Sequence, residues 1–121
     1  MAFFDAMKLW SSLGNLPKDN GLVYPLQHDW EFALHANYPN PFNPTTRIAY
    51  DLPEAGPVRL EIVNVLGQRA ALLLETRQEA GRHVIVWDGR TASGAKAAAG
   101  LYFCRMTAGE FAKTIKMTLL P

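Results

Sequence analysis

The sequence predicts an all-β fold, an antiparallel sandwich of about seven strands, over residues 32–121. Two observations carry this prediction. Apolar and polar side chains alternate in successive short runs, and turn signals separate these runs at intervals of about 8 to 14 residues. The connections are too short for the crossovers that parallel strands need, so we expect the neighbouring strands to be antiparallel.

The clearest alternation lies between Pro44 and Pro53. The even-numbered residues of this run are the more apolar ones, which predicts a half-buried strand whose even-numbered face points inward: Thr46, Ile48, Tyr50 and Leu52. After the turn signal at residues 53–56, a second alternating run covers residues 58–62. The short connection predicts that these two strands pair as a hairpin.

The remaining strands follow from the same pattern. We expect an entering strand near residues 32–38, then strands at residues 70–75, 83–87, 101–107 and 111–120. Residues 91–100, between the strands predicted at residues 83–87 and 101–107, are rich in alanine, glycine and serine and predict a loop.

The first thirty residues lack the period of two that predicts strands in the rest of the chain. Apolar residues at spacings of three and four predict a short amphipathic helix over residues 2–13, and residues 16–29 have no sustained period and predict an extended arm. We therefore divide the chain into a helix and arm or linker at residues 1–31 and one domain at residues 32–121.

Composition narrows the classes of function. The chain has 49% hydrophobic and 19% charged residues, which is typical of a globular protein. A formal net charge of +1 provides no field that would attract nucleic acid. No run approaches the roughly 20 apolar residues of a membrane-spanning helix, and no cleavable signal peptide is visible.

The sequence does not predict an enzyme, a metal site or a cofactor. The three histidines, His28, His35 and His83, share no metal-ligand spacing, and the carboxylates are scattered singly among turns. The single cysteine, Cys104, has apolar neighbours and is expected to be a buried, inert thiol.

One string in the chain is specific enough to indicate a family. It is the proline-rich signature Tyr38, Pro39, Asn40, Pro41, Phe42, Asn43 and Pro44. It is followed in order by Trp87, Asp88, Gly89 and Tyr102, and by a terminal strand. Over about residues 34–121 the sequence resembles the C-terminal sorting domains of type IX secretion cargo and the related immunoglobulin-like domain of flagellar hook capping proteins. The resemblance implies an immunoglobulin-like sandwich.

The signature and its companions also have a physical interpretation. The prolines stiffen residues 38–44, which we expect to brace Tyr38 and Phe42 against an edge of the core. Trp87 is expected to fill the core while Asp88 caps its own turn. Tyr102 is expected to pack with its hydroxyl bonded to a backbone acceptor.

The resemblance further implies a non-catalytic sorting or adaptor module that a protein export machine recognises. In that family the extreme C-terminus is the recognised part, which corresponds here to Lys116, Met117, Thr118, Leu119 and Leu120. The family often ends on a basic residue, and Pro121 takes that place in this chain. The implied location is secreted or at the cell surface, by way of the periplasm, with protein partners and no cofactor.

Two other classes stay open. The arm contains several apolar residues, including Phe3, Phe4, Trp10 and Tyr24. They fit a structural subunit that docks on a neighbouring chain, and they fit nearly as well an arm that covers its own sandwich. A carbohydrate-binding sandwich is a minor alternative, since it needs exposed aromatic rings and Trp87 and Tyr50 are expected to face inward.

Overall fold

The computed structural model describes residues 30–121. In that part of the chain all regular structure is β, as predicted, and it comprises seven strands. They are β1 (Ala33–Leu34), β2 (Thr46–Leu52), β3 (Gly56–Asn64), β4 (Arg69–Gln78), β5 (Gly81–Trp87), β6 (Gly100–Ala108) and β7 (Phe111–Leu119). The predicted N-terminal helix and most of the predicted arm lie outside the described residues, so the division at residues 31 and 32 stays a prediction.

The strands form two antiparallel sheets that face each other across one core. The three-stranded sheet has the order β1-β2-β5, and the four-stranded sheet has the order β4-β3-β6-β7. All pairings between neighbouring strands are antiparallel, as predicted from the short connections. The entering strand is shorter than predicted, and a separate bridge between Tyr38 and Arg47 extends its pairing with the start of β2.

The predicted hairpin between β2 and β3 is wrong. The two strands belong to different sheets, and the chain crosses from one sheet to the other between Leu52 and Gly56. The alternation misled this prediction for a physical reason. The inward faces of both sheets bury apolar side chains in the same core, so the period of two identifies the buried face without identifying the paired neighbour.

The core contains the residues that the alternation assigned to it. All four even-numbered residues of β2 are at most 2% exposed, as predicted. Opposite them lie Leu60 and Ile62 of β3, with Met106 of β6 and Met117 of β7, each fully buried. Burying side chains of this size contributes about 1.5–3 kcal/mol each. The sandwich therefore rests on apolar burial between the two inward faces.

Cys104 lies in this core and is fully buried, as predicted. Burial, with a smaller contribution from the negative charge of Glu61, raises the pKa of the thiol to about 12. The reactive thiolate is therefore suppressed at neutral pH.

A buried carboxylate organises the outer face of the four-stranded sheet. Glu61 of β3 is only 6% exposed because arginine side chains cover it. Arg69 Nε and Arg105 Nη2 approach its oxygens at 3.1 and 3.0 Å, and Arg59 Nη2 lies at 3.5 Å. Burial alone raises the pKa of Glu61, but the arginine hydrogen bonds and charges outweigh burial and lower it.

Asp51 has a similar role on the outer face of the three-stranded sheet. Arg82 donates two hydrogen bonds to its carboxylate, at 2.7 and 2.9 Å, and His35 Nε2 lies 2.8 Å from the same group. The hydrogen bond from Arg82 lowers the pKa of Asp51 more than burial raises it. His35 follows β1, Asp51 is in β2 and Arg82 is in β5, so these contacts connect all three strands of the sheet.

We predict that the domain loses stability in acid because of these two carboxylates. Each has a lower pKa folded than unfolded, so its contribution is present above the unfolded-state pKa of about 4 and is lost as pH falls through the folded-state value. The free energy of unfolding, measured with urea, should therefore be level from about pH 7 to about pH 5 and fall below about pH 4.

Replacement of the glutamate should isolate its part of this effect. Glu61→Gln should lower the free energy of unfolding at neutral pH by roughly 1–3 kcal/mol and make the decline in acid shallower. Glu110→Gln, in an exposed turn, is the matched control and should change neither. An acid decline in Glu61→Gln as steep as in the unaltered chain would contradict this account.

Candidate functional site

The proline-rich signature connects β1 to β2 at one end of the sandwich. Its three X-Pro bonds, Tyr38-Pro39, Asn40-Pro41 and Asn43-Pro44, are all cis. Its start is held by the buried Asn37, whose amide donates to Thr46 Oγ1 at 3.0 Å, while the Thr46 hydroxyl donates to the carbonyl of Pro39 at 2.8 Å. The first turn of the signature is thus fastened to the beginning of β2.

The middle of the signature pairs with the last strand. Phe42 donates its backbone N–H to the carbonyl of Thr118 at 3.0 Å and accepts from the N–H of Leu120 at 2.8 Å. This is a parallel bridge between Phe42 and Leu119, on the edge of β7 that faces away from β6. The ring of Phe42 is 1% exposed and lies 5.7 Å from the ring of Trp87, between centroids. Phe42 therefore braces the core edge as predicted.

Two asparagine side chains add to this backbone pairing. Asn40 accepts from the N–H of Thr118 at 3.0 Å and donates to the carbonyl of Lys116 at 3.4 Å. Asn43 donates to the carbonyl of Pro121 at 3.0 Å. With the two bonds of Phe42, five hydrogen bonds fix the end of the chain on the signature. We call residues 38–44 together with residues 116–121 the C-terminal junction.

Tyr38 does not brace the core, so this part of the prediction is wrong. Its side chain is 78% exposed. Its backbone exchanges hydrogen bonds with Arg47 at 2.8 and 2.9 Å. In this position the backbone of Tyr38 is anchored and its ring points away from the core.

The five C-terminal residues that the resemblance implied as partner-binding divide into two sets. Met117 and Leu119 are buried, at 0% and 5% exposed, and belong to the core. Lys116 and Leu120 are exposed, and Thr118 is half-buried. Because side chains alternate along a strand, only this second set faces outward from the folded domain.

The turn after β5 packs closely against the signature at Pro44. Gly89 has a φ of +77°, and a Cβ there would lie 2.7 Å from the carbonyl oxygen of Pro44, so only glycine fits. Asp88 accepts from the N–H of Arg90 at 3.1 Å, which confirms the predicted cap. The Trp87 ring is 1% exposed and donates to the carbonyl of Arg90 at 2.9 Å.

Tyr102 completes this end of the core as predicted. It is 7% exposed, lies edge-on to Trp87 with centroids 5.4 Å apart, and donates its hydroxyl to the carbonyl of Ala98 at 2.6 Å.

A carbohydrate-binding platform would need exposed rings, and both Trp87 and Tyr50 are buried. Between the junction and the loop after β5 lies an open pocket of about 350 Å³, whose lining includes Arg90, Lys96 and Pro121.

Within residues 30–121, no three metal-ligating side chains cluster. His83 is half-buried, stacks on Tyr50 at 5.3 Å and lies 2.7 Å from the carbonyl of Glu79, as expected of a strand histidine. In the same part of the chain no helix has the length and apolarity needed to cross a membrane. The predicted arm residues Phe3, Phe4, Trp10 and Tyr24 lie outside the described residues.

These features define the class of the protein. Two antiparallel sheets around one core, with the signature closing one edge, make an immunoglobulin-like β-sandwich module. Residues 40–110 match the family model of the FlgD Ig-like domain, which is 71 (110 − 40 + 1) of 121 residues. The chain belongs to the FlgD immunoglobulin-like domain family, as the resemblance indicated.

Three solved structures are similar to this chain. Dimeric latent PorU from Porphyromonas gingivalis matches with a TM-score of 0.59 at 20% identity, over 70% of this chain and 9% of PorU. FlgD from P. aeruginosa matches with a TM-score of 0.49 at 22% identity, over 61% of this chain and 58% of that one. PorZ, an essential surface component of the P. gingivalis type IX secretion system, matches at 0.47 and 22%, over 74% and 11%.

At these identities the likeness concerns the fold alone. The chain spans less than two thirds of each of these proteins, from 9% of PorU to 58% of FlgD. No curated protein matches the sequence.

We predict that Asn40 restrains the end of the chain. Asn40→Ala removes the bond to the N–H of Thr118, so the amide hydrogen of Thr118 should exchange with solvent about tenfold faster, as expected for one lost hydrogen bond. Hydrogen exchange followed by NMR measures this. Asn64→Ala, which removes comparable bonds in the turn after β3, is the matched control and should leave Thr118 unchanged. An unchanged rate in Asn40→Ala would show that the amide is protected by other contacts.

Proposed function

We propose that this chain is a non-catalytic sorting or adaptor module whose C-terminal residues are recognised by a protein export machine while they lie on the folded sandwich. The observation that carries the proposal is the C-terminal junction. Five hydrogen bonds hold residues 116–121 on the signature, which fixes the outward side chains of Lys116, Thr118 and Leu120. The family supports a non-catalytic module, and the resemblance of residues 34–121 to type IX sorting domains supports this class of partner.

The junction favours recognition in place because it removes an entropic cost. A loose C-terminal peptide would lose about 1–2 kcal/mol of backbone entropy per residue on being ordered by a receptor. In this chain the backbone is already ordered by Phe42, Asn40 and Asn43. A receptor that binds the outward side chains meets a preformed surface, which raises affinity for the same contacts.

The proposal also includes a location. A module of this kind would act at the outer surface of a bacterium, or in the surrounding medium, after passage through the periplasm. Its partners would be proteins, because the C-terminal junction presents ordered side chains to a receptor and the net charge of +1 provides no attraction for polyanions.

A reporter fusion tests this function. The full 121-residue chain is placed at the C-terminus of a periplasmic reporter in a bacterium with a type IX secretion system. We expect the reporter at the cell surface or in the medium. Leu120→Ser keeps the backbone bond from Leu120 to Phe42 and the bond from Asn43 to Pro121, so it should leave the unfolding temperature within a few degrees, and it should reduce export strongly. The reporter without the chain is the control for leakage.

Retention of the complete fusion in the periplasm would count against a sorting role. Equal export of the parent fusion and the Leu120→Ser fusion would count against recognition at the C-terminus. The two results separate the function from the site.

A second candidate is a structural subunit that docks through its N-terminal arm. It is motivated by the apolar residues of the arm. The ring of Trp30, the first described residue, lies 5.6 Å from the guanidinium of Arg82 in the same chain, and this contact favours instead an arm whose end packs on its own domain.

Deletion of residues 1–29 tests the second candidate. If the arm joins two chains, the mass in solution, measured by analytical ultracentrifugation, should fall to that of a monomer. The complete chain analysed in parallel is the reference. A complete chain that is already a monomer of 13.4 kDa would remove the support for self-assembly through the arm.

A further inference from the structure

Exposed apolar side chains concentrate at one end of the four-stranded sheet. Among the described residues, eight large hydrophobic side chains are more than a third exposed. Four of them lie at the end of this sheet that carries the C-terminus: Val65 (64%), Leu66 (77%), Leu101 (36%) and Leu120 (44%). We call these four residues the apolar row.

The register of the sheet places the row in a line. Leu101 of β6 is opposite Thr118 of β7, and Asn64 of β3 is opposite Tyr102 of β6. The turn that begins after Asn64 therefore starts beside Leu101. With about 4.8 Å between neighbouring strands, it lies about 10 Å across the sheet from the C-terminal strand. Because Tyr102 and Leu119 face the core, their neighbours Leu101 and Leu120 face outward.

The turn that carries Val65 and Leu66 is rigid without help from their side chains. The side chain of Asn64 accepts from the N–H groups of Leu66 and Gln68 at 2.9 and 3.0 Å. The backbone N–H of Gly67 donates to the carbonyl of Asn64 at 2.9 Å, and Gly67 has a φ of +81°. Turn positions are usually polar. Two exposed aliphatic side chains on a preformed turn thus have no role in the fold that the structure reveals.

Positive charge borders the row. Arg69 begins β4 directly after the turn, and Arg105 and Lys116 each lie four residues from the row along β6 and β7, about 13 Å away. The side chains of the two arginines are 45% and 51% exposed, and Lys116 is exposed as well. The carboxylate between them, Glu61, is buried and paired. This end of the sheet therefore presents an apolar strip with a cationic rim, although the whole chain has a net charge of only +1.

We infer that the apolar row is a docking surface for the same protein that recognises the C-terminus. That partner would present an apolar patch bordered by acidic side chains. The inference rests on the proposed function, because Leu120 belongs both to the apolar row and to the C-terminal junction. The row extends the contact from the last residues across the sheet to the turn at Val65 and Leu66.

Area and charge favour this occupant. Residues 116–121 alone offer four side chains that are exposed or half-buried, far fewer than the 20–30 residues per side of a stable protein interface. The row adds apolar contact near the centre of such a surface, where most binding energy is found, and the cationic rim attracts an acidic partner.

The test uses the full-chain reporter fusion with substitutions in the turn. In Val65→Ser/Leu66→Ser the bonds of Asn64 and Gly67 are kept, so the unfolding temperature should stay within a few degrees of the parent. Export should fall about tenfold, as expected when two aliphatic contacts leave an interface. Val84→Ser/Val86→Ser is the matched control, because these valines are 50% and 51% exposed on the other sheet. Its export should stay within about twofold of the parent.

A charge pair on β7 gives a second readout. Lys116→Glu places a carboxylate at the rim and should reduce export, whereas Lys113→Glu makes the same change on the opposite face of β7 and should not. Because Lys116 also belongs to the C-terminal junction, this pair tests the junction and the row together. Equal effects of the two lysine variants would count against both the proposed function and the inference, whereas a folded turn variant that is exported like the parent would overturn the inference alone.

Two further outcomes also decide the matter. If the parent fusion is not exported, the proposed function fails and the inference fails with it. If the unfused chain is a dimer that Val65→Ser/Leu66→Ser converts to a monomer, a second copy covers the row, and the inference of an export partner is overturned.

Discussion

The backbone pairing of Phe42 with β7 is the constraint on which the rest of this end of the molecule depends. It covers the outer edge of the last strand, which would otherwise present unpaired N–H and C=O groups at residues 118–120. The same contact positions the Phe42 ring against Trp87, so core packing and edge protection depend on one residue. Gly89 can have no side chain because the signature passes so close to it. The proline-rich signature therefore has a structural role, because it covers the edge of β7 and holds the Phe42 ring in the core.

Much of the fold could be predicted from the sequence because one physical signal repeats along it. The period of two in β2 identified Ile48, Tyr50 and Leu52 as inward, and all are buried. The pairing of β2 could not be predicted from the same signal, since both sheets bury the same kind of side chain in a common core. The hairpin with β3 was wrong for that reason, and β2 pairs with β5 instead.

The candidate site was harder to predict because its contacts leave no pattern in the sequence. The asparagine bonds join residues 76 and 78 positions apart, and backbone hydrogen bonds show no preference for residue type. The burial of Glu61 was missed because a charged residue in an alternating run indicates solvent, whereas here arginines from neighbouring strands cover it. Tyr38 was misplaced because its backbone, rather than its ring, makes the contacts.

The two segments of the C-terminal junction are far apart in the sequence, and this separation bears on how a partner recognises them. The bond from Asn43 to Pro121 joins the start of the domain to its last residue, so it forms only when the intervening strands are in place. The outward set at Lys116, Thr118 and Leu120 is consequently a property of the folded domain rather than of the terminal peptide. A receptor that requires this set in its fixed geometry therefore distinguishes a folded module from an unfolded one, without any contact to the core itself.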